Sequence, residues 1–346
     1  MKFLPNLALF LYFLSFHTKV PAQAERYCSA VFPEIEVSDE IVYGYADRHD
    51  WWGEYKPSPL VLKLYEPKSD TLSKRPLVLM VHGGVFLIGH PKAKKDILAW
   101  CDSLSHQGYV AASVGYRLGF SLLSKASMVR AGYRAIQDVR AAIRFFKEHH
   151  ETYRIDTTQI YVGGNSSGTI AVLHAAFMDE SERPIETYGV GKGREACDLD
   201  CLDCSGNSFQ HTIEVAGIIA LWGALWEPHI IDPEENIPTL LIHGTRDHVV
   251  PIKKAHPFHL PFFPTLHGSA VMHAQMQKLG IPHYYHPFEK KIHTFYHKRP
   301  LFDFPNKHWE TIWNLGRDFL YEQVSIHTTR SAPPTSKKYS FVEQKP

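Results

Sequence analysis

The chain has 346 residues, with 37 Lys and Arg against 36 Asp and Glu, a formal net charge of +1, 44% hydrophobic and 13% aromatic residues. That is too apolar for a disordered chain, and the length suits one large domain or two small ones. The charge balance excludes a strongly basic nucleic-acid footprint, so no nucleic-acid partner is expected.

At the start, Lys2 precedes a mainly apolar stretch over residues 3–16, and Ala22-Gln23-Ala24 has the small-x-small form that a signal peptidase accepts. The pattern predicts a signal peptide over residues 1–24, cleaved after Ala24, and a secreted or periplasmic protein. Beyond residue 24 no apolar run reaches the ~18–20 residues that span a bilayer, so the mature chain has no membrane span. Export permits disulfides. The cysteines beyond the leader are Cys28, Cys101, Cys197, Cys201 and Cys204, an odd number that leaves at least one thiol. Cys197-x3-Cys201-x2-Cys204 also has the spacing of a cluster-binding site of radical S-adenosylmethionine enzymes. Its polar, Gly-containing surroundings and the export signal favour a disulfide-stapled surface insertion, with the pairing open.

Residues 60–65 form a β-rich run closed by Pro67. Residues 77–81 are continuously apolar between Pro76 and Gly83, which predicts a strand covered on both faces. A helix follows over 92–107 and a strand over 109–114. Ile136, Val139, Ile143 and Phe146 recur at helical spacing. Another buried strand, 160–162, leads through a glycine-rich turn into a helix over 169–177. Strands are predicted at 215–222, 239–243 and 283–288, and an amphipathic helix at 307–323 with Trp309, Ile312, Trp313 and Phe319 on its apolar side. Alternating strands and helices imply a mostly parallel sheet flanked by helices. Residues 181–214 and 252–268 are insertions. The expected domain runs over 25–325, and 326–346 is expected to be a disordered tail.

The chemistry centres on Gly164-Asn165-Ser166-Ser167-Gly168, a G-x-S-x-G sequence between a strand and a helix. In that frame it is a nucleophile elbow: a sharp, strained turn that lifts the Ser166 hydroxyl above the sheet edge. A serine hydroxyl needs a base, and His293, just past the last strand, is the candidate, with His297 in reserve and His286 a neighbour. The base needs a carboxylate to fix its tautomer, and Asp247 follows the 239–243 strand. The order Ser166, Asp247, His293 matches that of one fold class. An oxyanion needs backbone donors. His82-Gly83-Gly84-Val85 follows the 77–81 strand, so the N–H groups of Gly84 and Val85, with that of Ser167, form the candidate oxyanion hole. Phe86, Trp222 and Trp226 follow strand ends and are candidate pocket walls. Tyr116, Arg117, Asp138 and Asp156 read as structural, and His256-Pro257-Phe258-His259 as a loop without metal-ligand spacing.

These motifs resemble the α/β-hydrolase superfamily, and within it the secreted carboxylesterase and lipase-like enzymes with an H-G-G oxyanion loop. Its landmarks are His82-Gly83-Gly84, Tyr116-Arg117, Asp138 to Ala142, Arg154-Ile155-Asp156, Gly164 to Gly168, His243 to Asp247 with Val250-Pro251, and His293, between about Leu60 and Tyr321. Val85 stands where lipase-type members have a third glycine, and Asn165 where many have Glu or Asp. The resemblance implies an α/β-hydrolase fold and a serine esterase that cleaves carboxylic esters through an acyl-enzyme, needing no cofactor or metal. A prolyl-oligopeptidase-type peptidase and a non-catalytic hydrolase-fold binding protein are the alternatives. The first usually has a large N-terminal domain and the second a broken triad.

Overall fold

The computed structural model describes residues 25–49, 55–92, 95–121, 124–189, 197–296 and 307–331. The expected signal peptide, His297 and the last fifteen positions lie outside them. Eight strands form the main sheet: β1 (Ile35–His49), β2 (Tyr55–Pro67), β3 (Arg75–Val81), β4 (Val110–Val114), β5 (Ile155–Asn165), β6 (Gly217–Leu221), β8 (Thr239–Gly244) and β11 (His283–Phe288). Their spatial order is β1-β2-β4-β3-β5-β6-β8-β11. β1, β2 and β4 pair antiparallel, and every pair from β4 through β3 to β11 is parallel.

The parallel part explains the continuous apolar runs. Leu77, Leu79 and Val81 of β3 face one core, packed with Ile136, Ile143 and Leu173. Val78 and Met80 face the other, packed with Trp100, Ile312 and Phe319. Both faces are covered, so polar alternation is absent. The first core is closed by α2 (Lys125–Glu148), α3 (Ser167–Phe177) and α4 (Ser269–Leu279), the second by α1 (Lys95–His106) and α5 (Lys307–Ser331). α5 continues to Ser331, beyond the boundary expected at residue 325; residues 332–346 are outside the described range. The predicted strands and helices over 60–323 are present with shifted ends, and, among the strands of the main sheet and the helices that cover it, β1 and α4 are additions.

The 252–268 insertion contributes β9 (Lys254–Ala255) and β10 (Leu266–Gly268), which join β7 (Ala224–Leu225) in a second, three-stranded sheet. The other insertion lies along α2. Arg130 donates to the carbonyls of Glu186 and Cys197, Gln137 to those of Leu199 and Cys201, and Arg140 and Arg144 pair with Asp203. A disulfide joins Cys201 to Cys204; Cys28, Cys101 and Cys197 are thiols. Arg117 and Asp138, read as structural, form a buried ion pair at 2.8 Å that ties the loop after β4 to α2.

Candidate active site

Ser166 sits where β5 turns into α3, with φ 55° and ψ −125°. That left-handed φ costs an L-residue on the order of 1–3 kcal/mol. The turn is held by the Ser166 N–H, which donates to Leu221 O at 3.0 Å, and by the Thr169 hydroxyl on Gly164 O at 2.6 Å. Close approach explains both flanking glycines. A Cβ on Gly168 would lie 2.2 Å from Val81 O, and one on Gly164 would lie 2.8 Å from the same atom.

The loop after β11 brings His293 to this turn. Its Nε2 is 2.9 Å from Ser166 Oγ, and its Nδ1 is 2.7 Å from Asp247 Oδ2. The Asp247 carboxylate is fully buried and follows β8 in a turn closed by its own N–H on Gly244 O. Its Oδ1 accepts from the N–H groups of Val249 and Val250 at 2.8 and 3.0 Å. His243 Nε2 lies 3.3 Å from Oδ2 on the other side, and its Nδ1 is 2.7 Å from Ser269 Oγ. Burial opposes ionisation of Asp247, but hydrogen bonds and charge from His243 and His293 outweigh it and hold the carboxyl at about 2. His243, read from sequence as a strand end and a landmark of the resemblance, therefore belongs to the carboxylate's surroundings. His286 lies within β11, opposite Ile242, and burial lowers its pKa.

The loop after β3 runs beside the serine: a Cβ on Gly83 would be 3.0 Å from Ser166 Cβ. Gly84, Val85 and Phe86 all have positive φ, at 136°, 57° and 56°. Leu87 and Ile88 N–H both donate to Gly84 O at 3.0 Å, closing a tight turn. The N–H groups of Gly84, Val85 and Ser167 donate to no acceptor among the described residues. Asn165 fixes the loop: its Oδ1 accepts from the Gly83 N–H at 2.5 Å, and its Nδ2 donates to Asp96 in the first turn of α1. The sequence offered no signal for this bridge, because Asp96 is 69 residues away. The Tyr116 hydroxyl donates to His82 O at 3.0 Å and lies 3.3 Å from Ser167 Oγ.

The three aromatic candidates have different surroundings. Trp222, fully buried with φ 41°, packs edge-on to His293 with ring centroids 6.3 Å apart. Phe86 packs against Tyr116. The Trp226 backbone N–H donates to His174 Nε2 and its ring lies 4.3 Å from that histidine's; at Gly132, an added Cβ would be 2.7 Å from Trp226 Cζ2 and 3.7 Å from Phe86 Cζ. Trp226 lines a cavity of about 320 Å³ with Val129, Met178, Glu182, Glu186 and Glu227, and none of Ser166, Asp247 and His293 borders that cavity.

A mostly parallel sheet, helices on both faces, and a serine on the strand-to-helix turn at its centre define the α/β-hydrolase fold. Residues 62–227, just under half of the chain, match the BD-FAE family model. Esterase-5C of Drosophila miranda is 25% identical over 141 residues, 40% of this chain and 25% of that protein. Gut esterase 1 of Caenorhabditis elegans is 31% identical over 114 residues, 33% of this chain and 20% of that protein. The chain thus aligns with a quarter or less of the length of these relatives. Among solved structures, the apo form of Thermogutta terrifontis esterase 2 superposes with a TM-score of 0.55 at 19% identity, covering 84% of this chain and 96% of that one. The same enzyme phosphorylated by paraoxon gives 0.54 at 19% identity, covering 84% and 95%.

Proposed function

We propose that this protein is a serine carboxylesterase that works through an acyl-enzyme. The observation that carries the reading is the relay from Ser166 Oγ to His293 Nε2 at 2.9 Å and from His293 Nδ1 to Asp247 at 2.7 Å. Ser166 Oγ attacks the ester carbonyl carbon as His293 Nε2 takes its proton. Asp247 fixes the imidazole tautomer and stabilises the imidazolium. The N–H groups of Gly84, Val85 and Ser167 receive the negative oxygen of the tetrahedral intermediate, which collapses as His293 passes the proton to the departing alcohol. Water, deprotonated by His293, then repeats the sequence on the acyl-enzyme and releases the acid. Trp222 and Phe86 form walls beside this centre. Trp226 is kept as a substrate contact only for a group long enough to reach the cavity it lines with Met178 and Glu227. Esterase names among the relatives and structural neighbours support an ester substrate.

Phosphorylation of the Thermogutta enzyme by paraoxon suggests the test. A fluorophosphonate or paraoxon should add one phosphonyl or phosphoryl group to Ser166, read by intact mass and peptide mapping. Ser166→Ala should abolish both the adduct and hydrolysis of a simple activated ester, and Ser167→Ala should retain both. An adduct that persists in Ser166→Ala rejects the assignment.

Export is part of the proposal. It is supported by the leader pattern ending at Ala24 and by the Cys201–Cys204 disulfide.

A further inference from the structure

Side chains around the Asp247 loop are unevenly distributed. Phe258, Leu260 and Phe262 of the 252–268 insertion are 39%, 38% and 47% exposed, and Ile292, next to His293, is 60% exposed. They flank one loop. On one side the Phe258 N–H donates to Val249 O at 3.2 Å and the His248 and His259 rings bond at 3.0 Å. On the other, the Arg246 N–H donates to Lys291 O at 2.8 Å. Phe258 and His259 have left-handed φ of 55° and 59°, which fixes this turn of the insertion in an uncommon backbone form.

The same stretches carry cations. Arg246, Lys253, Lys254 and Lys290 are exposed and Lys291 half-buried, and none has an ion-pair partner among the described residues. The one exposed carboxylate within 244–268 and 289–292 is Glu289. In a chain with a net charge of only +1, this is a local excess. Its counterpart lies around the cavity beside Trp226, where Glu182, Glu186 and Glu227 outnumber Lys125. Exposed aromatics flanked by unpaired lysines suit a surface that is apolar within and anionic at its boundary.

We propose that this face docks the protein on an anionic lipid surface. Phe258, Leu260 and Phe262 enter the headgroup boundary, and Arg246 and the lysines meet the lipid phosphates and carboxylates. Ile292 and His293 then face the lipid, so an ester held in the membrane reaches the site without crossing bulk water. Docking stands independently of the esterase reading; the membrane-held substrate rests on it.

The test uses mature protein carrying Ser166→Ala, so that binding is read without turnover. It is sedimented with phosphatidylcholine vesicles and with vesicles containing roughly one-third phosphatidylserine. Partitioning should be at least about tenfold stronger on the anionic vesicles and should weaken with added salt. Phe258→Asn with Phe262→Ser should reduce it about tenfold or more. Asn tolerates the left-handed φ at 258, so this variant should fold, with circular dichroism as the check. Lys253→Glu with Lys254→Glu should remove the preference for anionic lipid. Ile185→Ser, at a 65% exposed position on the other insertion, should change nothing. Equal binding to both vesicle types, no binding, or full binding by the Phe258→Asn, Phe262→Ser variant overturns the proposal. The last outcome, together with retention on an acidic polysaccharide, would identify a charge-only contact with a soluble polymer.

Discussion

Asn165 bridges two elements that must stay in register for the site to work. Its Oδ1 holds the Gly83 N–H and its Nδ2 holds Asp96, so the loop after β3 is anchored to both the elbow and α1. Replacing Asn165 by Ala leaves a buried N–H unpaired and frees the loop that carries the proposed oxyanion donors, the Gly84 and Val85 amides. A misplaced oxyanion donor lowers kcat, and the expected loss is about ten- to a hundredfold with KM little changed. Asn165→Asp should also lose activity, because it sets two carboxylates against each other. Adding Asp96→Asn restores a donor–acceptor pair and should recover much of the rate. A lack of rescue in the double variant would show that Asn165 acts by packing alone. Asp247 is a different case of enforced chemistry: two backbone N–H groups and two histidines keep its carboxylate ionised despite full burial.

At the scale of elements, the insertions are built by different physics. Residues 197–207 lie on α2 because its buried polar side chains reach their carbonyls. Arg144, with a side chain only 1% exposed, is neutralised by Asp203 rather than by solvent. The segment between β7 and β8 is held by short helical turns at Pro228–Ile230 and Pro233–Glu235. Glu235 closes the second of these on the Asp232 N–H. Burial pushes its carboxyl up to about 8; the Asp232 N–H opposes this, and the charges of Asp232, Asp179 and Glu182 add to it. Between the ordinary carboxyl value of 4.5 and about 8 the folded protein holds a proton that the unfolded chain has lost. Stability from this group is therefore present at low pH and is lost as pH rises through about 8. Urea midpoints taken from about pH 5 to about pH 9 should fall for wild type and fall less for Glu235→Gln. Equal slopes in the two proteins would contradict this account.

Over the whole molecule, nearly equal numbers of acids and bases conceal a polarised surface, basic around the Asp247 loop and more acidic around the cavity beside Trp226. The proposed export and the redox state also concern the whole chain. The leader pattern predicts a mature N-terminus at Glu25, and the structure pairs Cys201 with Cys204, leaving Cys28, Cys101 and Cys197 as thiols. N-terminal sequencing of exported protein should start at Glu25. Thiol titration under denaturing, non-reducing conditions should count those three; five would contradict the disulfide, and one would require a second bridge.

The sequence alone was enough to recognise the parallel sheet and the elbow, because both are local signals. A strand covered on both faces must be apolar throughout, as residues 77–81 are, and a sharp turn under a helix must have glycines where backbones meet, as at Gly164 and Gly168. β1 escaped notice because it is an edge strand carrying Glu36, Asp39 and Glu40, and α4 because only Ser269, Met272 and Met276 are buried along it. What only the tertiary structure decided is which distant groups meet. His293 lies 127 residues from Ser166, and several histidines crowd the same stretch, so spacing could rank it but not bring it to the serine. Asn165 with Asp96, His243 with Asp247, and Trp226 with His174 are contacts between separate elements. Each depends on how strands order themselves across the sheet, information that no window of sequence contains.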